Sequence, residues 1–270
     1  MSKKTYGDHD EDISTHRNHL ERMVAFYAKT ASNYNTWHCD PQNNSSHNYA
    51  VRETLTLMNR VRARTLLDVC CGTGRAAKAA LDAGFDARGI DISRELLDIG
   101  TRELGIPAGR LDHGDATCLP YADQSFDMAC IMGALHHTAR PRAIVAEMLR
   151  VARLGVVISD ELNHLPNGIK SLLVRLGVFE PVYRIIFRRP LRNFRRQGNS
   201  ADDGPAFWFS LEEIIPMVQM HFPRFKCLTF YRAGRFQVCS YHFPRLFARQ
   251  GVVSGWNENA QPTRSCVNNP

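Results

Sequence analysis

The chain has 270 residues, 44% of them apolar and 23% charged, with a formal net charge of +7. That balance suits a soluble globular domain, and the apolar runs are too short for a transmembrane helix. The polar opening "MSKKTYGDHDEDIS" lacks the apolar segment of a secretory signal, so a cytoplasmic location is expected, and eight cysteines without a C-x-x-C pair argue against a disulfide framework or a zinc site.

In chain order, residues 1–18 read as a flexible N-terminus and "HLERMVAFYAKTASNYNT" (19–36) as an amphipathic helix with a turn. "CDPQNNSSHN" (39–48) is loop by composition, and "YAVRETLTLMNRV" (49–61) is helix by its apolar spacing. A regular alternation follows. "TLLDV" (65–69), "DARGIDI" (86–92), "GRLDHGDA" (109–116), "SFDMACIMGAL" (125–135) and "GVVISD" (155–160) read as strands. Between them lie a helix closed by Gly84, a helix capped by Ser93, and a helix over 140–152 with Pro141 in its first turn. Strands alternating with helices predict an α/β fold, a doubly wound and mostly parallel sheet.

After Asp160 the rhythm breaks. Between Pro166 and Gly198 eight basic side chains face the single acid Glu180, which accounts for the whole net charge of +7. "SLEEIIPMVQMHF" (210–222) reads as a helix with a Ser210/Glu213 capping box, kinked or shortened by Pro216. "FKCLTFYRA" and "RFQVCSYHF" read as a hairpin around Gly234, and residues 251–270 as a flexible tail.

The stretch "LLDVCCGTG" (66–74) ends the first strand and opens a helix. Glycine there lets the backbone approach a ligand, and a helix N-terminus favours negative charge. Arg75-Ala76-Ala77 after Gly74 excludes both the dinucleotide fingerprint and the phosphate loop. Cys70 and Cys71 are adjacent, so they face opposite ways and read as small buried thiols. Asp91 in "GIDIS" ends the second strand, where an acid can take both hydroxyls of a ribose. Asp115 in "GDATCLP" and the end of "SFDMACIMGALHH" fall at equivalent places. Doubly wound sheets bind ligands outside the carboxyl ends of their strands.

On these residues, 60–160 resemble the class I S-adenosylmethionine-dependent methyltransferases of the small-molecule type. Asp68, Cys70, Gly72 and Gly74 stand in the family's D/E-x-G-x-G-x-G pattern, with Cys70 in place of a glycine. The resemblance implies S-adenosylmethionine as cofactor. Asp68 and Cys70 would belong to its turn, and Gly72 and Gly74 would pack on the methionine part. Asp91 would hold the ribose, with Ile92 beside the adenine. Asp115 and Ala116 would face the adenine, and Met132 would line the methionyl side. "FYAKTASNYN" resembles the family's leading helix, so Tyr27 or Tyr34 would close over the cofactor. The usual Pro-Gly-Gly before the fifth strand is reduced to Leu154-Gly155, which leaves that turn open. The fold expected is Rossmann-like, with an N-terminal helical cap, an antiparallel last strand and an inserted helical lid. It implies one domain over 19–250: core 60–160, basic lid 161–208, and helix plus hairpin 209–244.

Methyl transfer to a hydroxyl needs an aligned acceptor and a base. His136 or His137 is the candidate base and Asp160 its partner, an arrangement similar to sugar O-methyltransferases. Asp160, Glu161 and His164, with one of the histidines, would hold Mg²⁺. The acceptor expected is a sugar or oligosaccharide hydroxyl. "SDELNHLPNG" and "ADDGPAFWFS" resemble methyltransferases of polysaccharide assembly, such as those acting on methylmannose polysaccharides, and Phe207, Trp208 and Phe209 would serve as stacking platform or as core. The alternatives are a quinone, phenol or lipid-precursor methyltransferase, an RNA methyltransferase using the basic segment, and a cofactor-binding subunit without chemistry. Nucleic acid is disfavoured because basic runs are commonly solvated faces, and a homodimer is the assembly considered.

Overall fold

The computed structural model describes residues 13–38, 45–161, 198–200, 204–207, 209–233, 236–240 and 250–258. Two helices lead, α1 (Ile13–His38) and α2 (Ser45–Val61). The alternating unit follows: β1 (Thr65–Val69), α3 (Arg75–Asp82), β2 (Asp86–Asp91), α4 (Arg94–Glu103), β3 (Leu111–His113), β4 (Phe126–Met132), α5 (Pro141–Val151) and β5 (Ala152–Glu161). Then come β6 (Gly198–Ser200), β7 (Gly204–Ala206), α6 (Ile215–His221), β8 (Arg224–Ala233), β9 (Phe236–Ser240) and β10 (Gln250–Trp256).

One eight-stranded sheet runs in the order β3-β2-β1-β4-β5-β10-β8-β9. The strands β1 to β5 pair in parallel, while β10 is antiparallel to both β5 and β8. The mostly parallel, doubly wound sheet with an antiparallel last strand is therefore borne out. Helices cover both faces, so the central strands are apolar on both sides. Leu66, Met128 and Val157 pack with Met58 of α2 and Ala77 of α3. Their neighbours Leu67, Ala129 and Ile158 face the other way, against Val145 and Met148 of α5 and Val218 of α6. The chain reverses its order of strands between β1 and β4. A crevice at that switch point is where such sheets bind ligands.

Several expectations change. Residues 13–18, read as loose, are the first turns of α1. The loop over 39–48 ends early, because α2 starts at Ser45. Its first turn is anchored from outside, with Arg75 Nη2 donating to Asn48 Oδ1 at 2.9 Å. The turn before the fifth strand is absent: α5 ends at Val151, and Ala152 switches at once to extended backbone with φ −92° and ψ 125°. The tail expected to be flexible from Gly251 supplies β10, a buried strand between β5 and β8. Its glycines hid it. A methyl on Gly255 would lie 2.5 Å from Val218 Cγ1 and 2.9 Å from Phe222, so glycine lets α6 close on the sheet.

Pro216 begins α6 rather than kinking it, and Ser210 caps a separate 3-10 turn over Leu211–Glu213 by accepting from the Glu212 N–H at 3.3 Å. The basic lid lies largely outside the described residues. Its described part is no helix: β6 and β7 pair as a two-stranded antiparallel ribbon. The β8–β9 hairpin is present. Among the described residues no helix is long and apolar enough to cross a membrane.

Candidate active site

The loop Cys70–Gly74 leaves β1 through left-handed backbone. Cys70, Gly72 and Gly74 have φ of 50°, 56° and 82°. The two glycines serve different ends. A methyl on Gly72 would meet the Tyr34 hydroxyl at 2.8 Å, so α1 lies directly over this residue. A methyl on Gly74 would meet Ile106 at 2.7 Å and Leu111 at 3.1 Å, which makes Gly74 a packing glycine for α3 on the sheet. Gly100 brings α4 against the Thr73 carbonyl in the same way.

Two buried carboxylates hold the loop. Asp68 Oδ2 accepts from the Ala77 N–H at 2.9 Å, beneath the start of α3. Asp91 Oδ2 accepts from the Gly72 N–H at 2.8 Å, and Oδ1 from the Ser93 N–H at 2.9 Å. Burial disfavours the charged forms, pushing Asp68 up to about 7 and raising Asp91 from its ordinary value. Burial and the nearby Asp91, Asp115, Asp68 and Asp160 hold the Cys70 thiol well above its ordinary value. The Cys71 thiol is raised too. Both are therefore neutral thiols, poor nucleophiles.

The α1 helix caps this loop. Tyr27 and Tyr34 meet edge to face at 5.8 Å and pack against Leu96 and Ile99 of α4. Asn35 Oδ1 accepts from Thr73 Oγ1 at 2.8 Å, and Asn35 Nδ2 donates to Glu103 Oε2 at 2.9 Å. Across the crevice, Ile92 follows Asp91, and Asp115 folds its carboxylate onto Thr117 N and Oγ1, both at 2.8 Å. Ala116 is buried beside it. Met132 ends β4, half-buried.

Beyond β4 the chain makes a 3-10 turn over Leu135–His137. His136 Nδ1 donates to Asp160 Oδ1 at 2.8 Å, and the Leu135 N–H donates to Asp160 Oδ2 at 2.7 Å. The structure thus joins His136, one of the two candidate histidines, to Asp160. His137 lies alongside, with ring centroids 4.0 Å apart. A carboxylate at Nδ1 fixes the imidazole tautomer and raises the basicity of Nε2. Each oxygen of Asp160 already accepts one of these donors, and at 2% exposure the residue has no room beside it for a shell of waters. Such a carboxylate does not fit a hydrated Mg²⁺. No cluster of three metal-binding side chains occurs among the described residues. His164 and the Glu161 side chain lie outside them, and the Mg²⁺ expectation draws no support.

Four side chains around this crevice carried no sequence signal. His19 of α1, His47 of α2, and the Asn35–Thr73 pair are brought in only by tertiary packing. His47 lies against Gly133, with its Nδ1 3.5 Å from Ser159 Oγ. Phe207 and Phe209 are buried, and Trp208 is outside the described residues.

Residues 67–159 match the family model described as a methyltransferase domain. Over those residues the chain is similar to methyltransferase domains. Among curated proteins, the demethylmenaquinone methyltransferase of Renibacterium salmoninarum is 32% identical over 165 residues, covering 61% of this chain and 64% of that protein. An O-methyltransferase of Penicillium expansum is 32% identical over 155 residues, covering 54% of this chain and 55% of its own length. The chain thus spans less than two thirds of these relatives. Two solved methyltransferases share the fold. The 1,6-didemethyltoxoflavin N1-methyltransferase of Burkholderia thailandensis has a TM-score of 0.53 at 13% identity, covering 92% of each chain. The magnesium protoporphyrin IX methyltransferase of Synechocystis PCC 6803 also gives 0.53 at 13%, covering 87% of this chain and 97% of its own. Both were solved with S-adenosylhomocysteine bound. In this chain, the loop after β1 and the carboxylate ending β2 lie beside the switch point.

Proposed function

We propose that this chain transfers the methyl group of S-adenosylmethionine to a small aromatic acceptor, a reduced quinone or related phenol. The observation that carries the cofactor reading is Asp91, which ends β2 and braces the Gly72 N–H across the crevice from the glycine loop. Its remaining lone pairs suit two ribose hydroxyls. Ile92 and Ala116 offer apolar contact for the adenine, and Asp115 an acceptor at its edge. Tyr34 and Gly72 close over the methionine part. Asp91, Asp115 and Asp160 lie near the loop, and their field favours a cationic ligand. When bound, the cofactor supplies an electrophilic methyl on a positive sulfur.

The acceptor reading rests on the relatives' names and on proton affinity. A phenol near the tyrosine value of about 10 lies about 3.5 units above a free imidazole, or about 5 kcal/mol. An aliphatic hydroxyl, close to water's ~15.7, lies about 9 units above it, or about 12 kcal/mol. A histidine steadied by one carboxylate bridges the first gap far more readily. In this reading His136 or His137 takes the phenolic proton, and Asp160 holds the His136 tautomer and shares the charge that develops. The phenolate then directs its charge to oxygen or to a ring carbon. Demethylmenaquinone methyltransferase relatives favour carbon, and the fungal O-methyltransferase favours oxygen. The sugar acceptor expected from His136, His137 and Asp160 finds no counterpart in these relatives.

The test is transfer of labelled methyl from S-adenosylmethionine to reduced naphthoquinones, phenols, mono- and oligosaccharides and RNA. Label on a reduced quinone or phenol is the expected result, and NMR of the product reads carbon or oxygen. Label confined to a sugar or to RNA would overturn the aromatic reading.

A further inference from the structure

Three buried histidines meet at the end of the crevice, and the mechanism above uses two. The third is His19 of α1, 3% exposed and separated by 118 positions from its partner. Its Nε2 lies 2.6 Å from the carbonyl oxygen of His137. A carbonyl only accepts, so His19 carries its proton on Nε2 and donates it. The next carbonyl along the turn is held as well. The Phe207 N–H donates to the His136 carbonyl at 2.6 Å, and the Phe207 ring meets the His19 ring edge to face at 4.5 Å. Both main-chain oxygens of the histidine pair are thus captured from outside the sheet.

A 3-10 turn of three residues has little internal hydrogen bonding to fix its direction. Here the turn is held at Leu135 and His136 by Asp160 from β5, and at its far end by His19 from α1. The helix that carries His19 also carries Tyr34 and Asn35, which dock on Gly72 and Thr73. Those anchors are sixteen residues apart, or about 24 Å along the helix axis. One rigid element therefore reaches both the cofactor loop and the turn bearing the base.

We infer that His19 is a positioning residue for methyl transfer: by holding the His137 carbonyl it aims the His136–His137 pair at the acceptor and ties that aim to the docking of α1 on the cofactor loop. This rests on the proposed methyl transfer. A merely structural histidine would need only volume and one satisfied nitrogen. A misplacement of about 1 Å in a reacting group costs on the order of a hundredfold in rate, so the capture has kinetic consequences.

The test compares His19→Phe, which keeps the ring against Phe207 and loses the donor, with His19→Gln, which keeps a donor. Wild type and both variants are assayed on the full chain with the acceptor found above, alongside S-adenosylhomocysteine binding by calorimetry. His19→Phe is expected to lower kcat by about tenfold or more with cofactor affinity within threefold, and His19→Gln to recover most of it. Unchanged kcat in His19→Phe, or a loss that His19→Gln fails to recover, would overturn the inference. If His19→Phe does not fold, ¹⁵N NMR of the wild type decides, because an unprotonated Nε2 on His19 would also overturn it. If the wild type turns over no acceptor, the methyl-transfer reading fails by itself. The His136 and His137 ring resonances of His19→Phe with S-adenosylhomocysteine bound then read the positioning directly, and resonances unshifted from wild type would overturn it.

Discussion

Asp91→Ala tests the cofactor reading most directly. The carboxylate has about four lone-pair sites, and the Gly72 and Ser93 N–H groups occupy one on each oxygen. One remains on each oxygen for a ribose hydroxyl. A hydrogen bond to a charged group is worth about 1.5–3 kcal/mol. Taking the lower figure, since ribose hydroxyls regain water when released, two lost bonds cost about 3 kcal/mol, or ~150-fold in Kd. The substitution also strands the two N–H groups and lowers stability by about 1–2 kcal/mol, so binding is measured by calorimetry on protein whose fold is checked by circular dichroism. A ligand lacking the ribose 2′-hydroxyl adds a second arm. It is expected to bind wild type more weakly than S-adenosylhomocysteine does, and to show a much smaller deficit on the variant. An Asp91→Ala protein that binds S-adenosylmethionine within threefold of wild type would refute the reasoning.

Gly72→Ala puts a methyl against the Tyr34 hydroxyl in backbone of φ 56°; it should cost about 1–2 kcal/mol of stability from the left-handed conformation alone, seen in urea unfolding, and weaken cofactor binding as well. Asp160→Asn should lower kcat by about a hundredfold or more while leaving cofactor affinity near wild type, because an amide no longer holds the His136 Nδ1–H tautomer. Asp68 is pushed up to about 7 from 3.8 by burial, so its protonated form is favoured in the folded state and its contribution to stability is lost as pH rises from about 4 through 7. Asp68→Asn should therefore gain on wild type across that window, by about 4 kcal/mol at most, and level off above pH 7; a difference independent of pH in chemical unfolding would contradict this. Arg153→Met removes the guanidinium that lies 2.6 Å from Oδ1 of the buried Asp127 and should cost about 3–5 kcal/mol by the same method.

The strands β1, β2 and β4 were legible because apolar runs, glycine turns and caps agree there. Ser93 was expected as a cap, and its Oγ accepts from the Leu96 N–H at 3.3 Å. Asp91 was legible as a candidate site residue because an acid at a strand end has few other reasons to be there. The start of α2 was not, because Asn and Ser favour loops locally and tertiary contacts such as Asn48–Arg75 override them. The strand β10 was missed because its two glycines weaken the strand pattern, while their use, admitting Val218 and Phe222, belongs to the other side of the sheet. His19 and His47 were missed for a related reason. A lone histidine on a helix carries no periodic signal, and its partner lies over a hundred positions away.

The place of β10 also sets an order of events. On a chain made from the N-terminus, β5 and β8 both exist before the strand that joins them. Until synthesis passes Trp256, each presents an unpaired edge, the kind that recruits strands from other chains. A chain cut before Gln250 keeps every candidate site residue from Tyr27 to Asp160, yet it severs β8 and β9 from the sheet. Its defect would be aggregation rather than lost chemistry, and a peptide of residues 250–258 supplied in trans is the natural rescue.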